Sequence, residues 1–212
     1  MTVRHHPSDA TLLAHAAGTL PEGVALVVQT HLGLCATCRE TALLAEAIGG
    51  AVLDELPPAE MAADALDRAL ARLDEPAPTE PPPAIRPEGL GWPEALRTTT
   101  PGRWWWLAPG IRYRRLLPRT QAGGSLSMLR VAPGKALPHH GHRGLELTCV
   151  LEGSFTDQLG TFALGDVLEA EAGLHHRPVA GPGQDCVCLL ATDSPIRFSS
   201  LAARLLQPIV GI

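Results

Sequence analysis

The chain has no apolar run that approaches the ~20 residues a membrane-spanning helix needs, so no contact with a membrane is predicted. Residues 1–9 are polar and lack the apolar core of a secretory signal. Cysteine is scarce and odd in number, with five in 212 residues, which argues against a disulfide framework. We therefore expect a cytoplasmic protein whose thiols stay reduced and can bind a metal.

Positive charge is also in short supply. Seventeen Lys and Arg face 22 Asp and Glu, giving a net charge of −5, so direct nucleic-acid binding is not expected. The sequence has no Ser-His-Asp arrangement, phosphate-binding loop or dinucleotide fingerprint. An enzymatic activity would therefore have to depend on a bound metal alone.

Residues 1–74 predict a small helical bundle of about four helices. These cover 9–17, 21–34, a third stretch from near Thr37 to Gly49-Gly50, and 59–73. Ser8 fits the N-cap of the first helix, and Thr19-x-x-Glu22 resembles a capping box for the second. The fourth helix gathers its apolar side chains on one face. Too little chain surrounds that face to bury it, so we expect it to pack on a partner protein.

Eight prolines between residues 75 and 101 preclude a regular helix or central strand, which predicts a semi-extended linker. From 102 to 198 short strands alternate with glycine-containing turns. The predicted strands are 104–107, 113–117, 125–131, 146–152, 156–159, 166–170 and 185–192. This spacing favours an antiparallel barrel or jelly roll, followed by a tail at 199–212 that begins with a short helix. The fold class is thus α+β in two domains.

A first group of possible metal ligands lies in His31-x3-Cys35-x2-Cys38. At these spacings the side chains share one helical face, and they can converge if the helix breaks near Ala36-Thr37. A structural zinc site takes four nitrogen or sulfur ligands, so one more is needed. Histidines elsewhere in the domain can supply it; the candidates are His5, His6 and His15.

A second group contains His140-x-His142-x3-Glu146, with His176 further along. Residues two apart in extended chain point the same way, so the first two imidazoles can both face a barrel interior. Three imidazoles and a carboxylate suit Zn²⁺, Mn, Fe or Ni. The adjacent His139 and His175 are out of register with these ligands.

The first group resembles the motif of zinc-binding anti-sigma factors. The resemblance implies a helical domain that binds an ECF (group IV) alternative sigma factor, in a 1:1 complex. It also implies that a histidine near the N-terminus completes the Zn²⁺ site, for which His6 matches best and His5 second.

The second group lies in Gly134-x5-His140-x-His142-x3-Glu146-x6-Gly153, which resembles the first cupin motif throughout. Gly165-x5-Glu171-x-Gly173-x2-His176 resembles the second, with Glu171 and Ala180 where proline and asparagine are usual. The whole chain resembles the ChrR-type anti-sigma factors, which join a zinc domain to a cupin domain. The resemblance implies release of the sigma factor in response to singlet oxygen or organic peroxides.

Other interpretations stay open at this stage. One is a metal-dependent, dioxygenase-like cupin enzyme with a regulatory N-terminal domain; another is a ligand-binding adaptor. The first ligand group, with its two cysteines, argues against the enzyme interpretation. Cys186-x-Cys188 can be two buried small side chains or a redox-sensitive pair near the metal. For Trp104–Trp106 we expect core packing with one exposed ring, the alternative being an interdomain or oxidant-reactive patch.

Overall fold

A computed structural model of the protein describes residues 2–75, 93–96, 99, 102–117, 124–194 and 197–198. In this part of the chain, helices come first and strands follow. The α-helices are α1 Asp9–Ala16, α2 Glu22–Leu34, α3 Ala36–Asp54 and α4 Ala65–Ala71. Short 3-10 turns cover Arg72–Asp74 and Glu94–Leu96. No helix within the described ranges combines the length and apolar character needed to cross a membrane.

The strands form three antiparallel sheets. They are β1 Trp104–Ala108, β2 Ile111–Leu117, β3 Ser125–Val131, β4 His140–Gly141, β5 Glu146–Glu152, β6 Ser154–Asp157, β7 Gly160–Ala163, β8 Val167–Ala170, β9 His175–His176, β10 Val179–Ala180, β11 Cys186–Thr192 and β12 Arg197–Phe198. The main sheet has the order β1-β2-β3-β11-β5-β8, and the smaller sheets are β10-β6-β7 and β12-β4-β9. Helices followed by an antiparallel β domain confirm the predicted α+β class.

The first helix begins and ends where the sequence predicts. The Ser8 side chain accepts a hydrogen bond from the Thr11 backbone, and Gly18 has the left-handed backbone (φ +67°) that terminates the helix. The prediction of a capping box at Thr19-x-x-Glu22 is wrong. Pro21 occupies the N-cap of α2, and the Thr19 hydroxyl donates instead to the Ala14 carbonyl.

Two helix boundaries differ from the prediction. The third helix continues through Gly49-Gly50 to Asp54, and the fourth covers only Ala65–Ala71 rather than 59–73. A helical glycine costs only about 1 kcal/mol relative to alanine, which the favourable residues on both sides offset. The chain leaves helix α3 just before Pro57-Pro58, where the missing amide hydrogens and the restricted backbone oppose continuation.

Helix α2 lies directly on one face of the main sheet. Its buried residues Val24, Val27 and Val28 belong to one apolar cluster together with Leu126, Met128, Leu147, Cys149, Val187, Leu189 and Ala191. A Cβ on Gly23 would lie 2.9 Å from the Ser125 carbonyl oxygen, so this helix approaches the sheet backbone closely. The helices and the barrel therefore share a core rather than having separate ones.

The opposite face of the main sheet closes the barrel interior. There Val150, Phe155, Phe162, Leu168 and Cys186 form a second buried cluster with their neighbours. Because both faces are covered, every residue of β11 is buried. Strand β5 thus carries Leu147 towards helix α2 while its neighbours Glu146 and Thr148 point into the barrel.

Most of the predicted linker, residues 76–92, lies outside the described residues, as does the predicted helix at 199–206. Within 93–96 the chain is not extended. It makes a 3-10 turn whose Leu96 is fully buried in the core beside α2. The strand predicted at 156–159 ends at Asp157, because residues 158 and 159 form a tight turn into β7, which the sequence analysis missed. The two-residue strands β4, β9, β10 and β12 were also missed.

Because the helices and the barrel share one core, a substitution in that core should destabilise the whole molecule. Leu189→Ala, at a fully buried position on β11, should lower the free energy of unfolding by about 2–5 kcal/mol, because it leaves a cavity between sheet and helix. Leu159→Ala, in the exposed turn before β7, is the matched control and should change it by less than ~0.5 kcal/mol. Urea denaturation measures both. Equal stabilities for the two variants would contradict a core at this interface.

Candidate metal centres

The first group of ligands is assembled around a break between two helices. Cys35 ends α2 and precedes α3 with an extended backbone (φ −120°, ψ 109°), so the break falls at Cys35 and not at Ala36-Thr37. His31 lies one turn before this break and Cys38 one turn after it. All three side chains are buried. The change of direction lets them converge on one point.

The fourth member comes from the segment before α1. The Nδ1 atom of His6 lies 3.5 Å from Cys35 Sγ and 3.3 Å from Cys38 Sγ. His5 points the other way, with its ring 4.3 Å from the ring of Phe162 on the barrel. Of the three candidates from the sequence, the structure therefore brings His6 to the thiols, while His5 and His15 lie outside the group.

These four residues fit a tetrahedral metal ion. Their ligand atoms all lie within 4.8 Å of one another, and a zinc ion with two sulfur and two nitrogen ligands needs separations of about 3.3–3.8 Å. His31 Nδ1 donates a hydrogen bond to the Gly165 carbonyl oxygen at 2.8 Å. This bond leaves the lone pair on Nε2, which is buried without any hydrogen-bond partner.

The Cys38 thiol would ionise only beside a cation. Burial and the neighbouring Cys35 raise the pKa of the Cys38 thiol to about 12. Burial lowers the pKa of His31 below its ordinary value, so its imidazole is neutral and able to bind a metal. A metal ion held by these residues would favour the thiolate form of Cys38, so metal binding here would be linked to proton release.

The second group lies inside the barrel. His140 and His176 face each other across the β4–β9 pair, His142 follows β4, and Glu146 begins β5. All four are buried. His176 Nε2 lies 2.9 Å from His140 Nε2 and 3.1 Å from His142 Nε2.

Hydrogen bonds to the outer nitrogens decide which imidazole atoms face the centre. His140 Nδ1 donates to the Pro138 carbonyl at 2.8 Å, and His176 Nδ1 to the Asp157 carboxylate at 2.9 Å. Both Nε2 atoms then carry lone pairs that point at each other, which is repulsive unless a cation lies between them. Glu146 Oε2 is also buried without a hydrogen-bond partner. The donor set fits a divalent metal ion.

Burial sets the protonation of this group. Desolvation lowers the pKa of His140 to about 4 and that of His142 to about 3, so both are neutral ligands at neutral pH. The same desolvation raises the pKa of Glu146 to about 8. A divalent cation would restore the carboxylate form by supplying the opposite charge that this pocket lacks.

Several partners of these groups were missed in the sequence analysis. Asp157 and Gly165 accept hydrogen bonds from ligand imidazoles, and Asp166 accepts them from the backbone just before His6. Motif spacing does not identify residues that act on a ligand in these indirect ways. His139 and His175 are exposed and stack on each other, with ring centroids 5.9 Å apart. They lie outside the four-residue group, as their register predicts.

The remaining cysteines are buried free thiols. Cys186 and Cys188 point into the barrel with their sulfurs 3.5 Å apart. The hydrogen bond from its neighbour, together with burial, holds the pKa of Cys188 well above the ordinary thiol range. The expectation that both side chains are buried is confirmed.

The tryptophans differ from expectation. Trp104 packs against the core, but both Trp105 and Trp106 are exposed on β1, which is an edge strand of the main sheet. Arg112 lies over the ring of Trp106 at 4.5 Å. The prediction of a single exposed ring is wrong.

Known proteins resemble both halves of this architecture. Residues 93–194 match the family described as the ChrR cupin-like domain. The anti-sigma-E factor ChrR of Cereibacter sphaeroides is 43% identical over 217 residues, covering all of both chains. A chain in the crystal structure of Rhodobacter sphaeroides SigE in complex with the anti-sigma ChrR is 42% identical, with a TM-score of 0.75 over 91% of this chain and all of that one. By full-length identity and by fold, this chain belongs to the family of ChrR anti-sigma factors.

Proposed function

We propose that the protein is a cytoplasmic anti-sigma factor. Its helical part binds an ECF (group IV) alternative sigma factor in a 1:1 complex, and its cupin barrel releases that factor in response to singlet oxygen or organic peroxides. The observation that carries the proposal is the 43% identity to the anti-sigma-E factor ChrR, which extends over the full length of both proteins. The fold match to a chain of the SigE–ChrR complex supports the same partner class.

The stretch from residue 43 to residue 73, which contains most of α3 and all of α4, exposes an unusual number of apolar side chains. No residue of α4 is buried, and ten large aliphatic side chains between residues 43 and 73 are more than half exposed. They are Leu43, Leu44, Ile48, Val52, Leu53, Leu56, Met61, Leu66, Leu70 and Leu73. Monomeric proteins rarely leave so many large apolar side chains in water, which supports a protein partner that covers them. We call these ten side chains the apolar face and propose that they bind the sigma factor.

Charge placed on the apolar face should weaken the complex. Leu53→Glu and Leu66→Glu each put a carboxylate into the interface and should cost about 2 kcal/mol or more of binding energy, which is ~30-fold in Kd. Isothermal titration of the full-length protein with its cognate sigma factor measures this. Leu159→Glu, the same change at an exposed position on the barrel, should bind like the wild type. Wild-type affinity in both helix variants would remove this face from the interface.

We propose that His6, His31, Cys35 and Cys38 bind Zn²⁺, whose role is structural. The support is a closed set of two sulfur and two nitrogen donors, of which three are buried. The ion holds together the segment before α1, the end of α2 and the start of α3. Its binding free energy is then folding free energy for the part of the chain that presents the apolar face.

Removal of one thiol should show what this metal site contributes to zinc content and to sigma-factor binding. Cys35→Ala should lose one zinc per chain and most of its affinity for the sigma factor, because α3 is no longer fixed to α2. Elemental analysis and sigma-factor pull-down measure the two effects. Cys149→Ala removes a buried thiol outside the group and should keep both zinc and binding. A Cys35→Ala protein that retains full metal content would show that the thiolates are not ligands.

We propose that His140, His142, Glu146 and His176 bind a second divalent ion, Zn²⁺ or one of Mn, Fe and Ni. Three nitrogen donors and a carboxylate accommodate all of these. The ion would supply the point at which oxidants act. Asp157 and the Pro138 carbonyl orient two of the imidazoles, and the buried Glu146 links the site to β5.

This second site should be needed for response and not for binding. His140→Ala should lose the barrel metal, bind the sigma factor normally, and fail to release it after exposure to singlet oxygen or an organic peroxide. Gel filtration of the complex before and after exposure measures release. His139→Ala, an exposed neighbour, is the control and should respond normally. If His140→Ala released the sigma factor as the wild type does, the barrel metal would have no part in sensing.

The enzyme alternative has less support. The full-length relative is an anti-sigma factor by name, the solved structure is of an anti-sigma complex, and all four residues of the barrel group are buried. The protein is accordingly a regulator rather than a dioxygenase-like enzyme.

A further inference from the structure

The turn between β7 and β8, residues 164–166, lies against the thiolate group of the helical part, which consists of His6, His31, Cys35 and Cys38. Its Gly165 carbonyl oxygen accepts the 2.8 Å hydrogen bond from His31 Nδ1. That bond fixes both the tautomer and the ring orientation of this imidazole, whose other nitrogen faces the two cysteines. One of the four proposed zinc ligands is therefore oriented by the barrel and not by its own domain.

The same turn fixes the backbone that leads to His6. The Asp166 carboxylate is buried, and its Oδ1 accepts hydrogen bonds from the backbone of Arg4 at 2.7 Å and of His5 at 3.0 Å. Its Oδ2 accepts the Ala163 backbone at 2.8 Å, which ties the carboxylate to its own turn. The Val167 backbone in turn donates to the His5 carbonyl at 3.0 Å. Both the N–H and the C=O of His5, the residue before His6, are thus hydrogen-bonded to the barrel.

Strand β8 also fixes the start of α1. Glu169 accepts hydrogen bonds from the Ser8 backbone at 2.7 Å, the Ser8 hydroxyl at 2.9 Å and the Thr11 hydroxyl at 2.7 Å. Residues 4–11 therefore run along the outer edge of the main sheet, bound at several successive points. This arrangement leaves His6 little freedom to move away from the thiols while the barrel is in place.

The fit between turn and helical part is tight. Gly165 has a left-handed backbone (φ +86°), and a Cβ there would lie 2.9 Å from Val3 Cγ2 and 3.5 Å from Leu34 Cβ. A side chain at this position would be strained by the left-handed backbone and would have to displace Val3. The carbonyl and the carboxylate reach the helical part because the turn can approach it this closely.

We propose that the β7–β8 turn is the outer shell of the thiolate site. Gly165 and Asp166 are positioning residues, supplied by the barrel, that keep His31 and His6 in ligating geometry. The inference rests on the proposed zinc site. It follows that the metal of the helical part is held tightly only while the barrel is docked on it.

The strand pairing connects this shell to the barrel's own metal group. Glu146 pairs with Ala170 at one end of β8, and Cys149 pairs with Val167 beside the turn at the other end. Three residue steps of extended chain, about 10 Å, separate Val167 from Ala170. A shift of β5 and β8 that starts at Glu146 would reach the ligands of the thiolate site through this one strand.

The test is the rate at which a chelator extracts metal from the thiolate site. Full-length protein is loaded with Co²⁺, whose charge-transfer absorption with thiolate reports this site and not the barrel group of histidines and a carboxylate. Excess EDTA is then added and the loss of that absorption is followed. Urea denaturation and the metal content of the barrel verify that each variant is folded.

Two variants weaken the shell from opposite sides. Asp166→Asn places an amide donor against backbone N–H groups, and Arg4→Pro removes one of those N–H groups without changing the barrel. We expect Asp166→Asn to lose Co²⁺ about tenfold faster or more, and Arg4→Pro to change in the same direction. The matched controls are Arg4→Ala, which keeps the backbone donor, and Asp185→Asn, whose carboxylate pairs with Arg130 elsewhere on the barrel. Both should match the wild type.

A folded Asp166→Asn or Arg4→Pro protein that releases Co²⁺ at the wild-type rate would overturn this inference while leaving the zinc site intact. Absence of the thiolate absorption in the wild-type protein would instead refute the proposed zinc site itself. The two failures are therefore distinguishable in one experiment.

Discussion

The contact on which the rest of the structure depends is that between helix α2 and the main sheet. Its three valines fill one face of β3, β5 and β11, and the close approach at Gly23 leaves no layer between helix and strands. Because this helix also ends at Cys35, the core and the thiolate group share one rigid element. The barrel is thus part of the framework that holds the proposed metal ligands of the helical part, and the two domains are packed together as one unit.

The two proposed metal sites share one electrostatic property and differ in ligand chemistry. In both, burial makes the ligands poor hosts for charge without a cation, as the raised pKa of Cys38 and of Glu146 indicates. The thiolate group joins three chain segments, which are the one before α1, the end of α2 and the start of α3. The barrel group lies at the start of a strand whose next residue, Leu147, packs in the core shared with α2. This difference is the reason for proposing a structural role for the first site and a sensing role for the second.

The sequence allowed much of this to be predicted, since motif spacing fixes register. Strands β3 and β5 were predicted to the residue, and both four-residue ligand groups converge as proposed. Contacts between distant residues could not be predicted. Spacing alone does not distinguish His5 from His6, which differ only in which side of an extended segment they occupy. Nor does it place Asp166, whose partners lie more than 160 residues away along the chain.

The apolar face is proposed to bind a sigma factor, and hydrogen exchange of the full-length protein, alone and with its cognate ECF sigma factor, is the decisive measurement. We expect a 1:1 complex in which amides of residues 43–73 become protected, while those of β3 and β11 do not change. A protein that forms no complex, or whose protection is confined to the barrel, would contradict it.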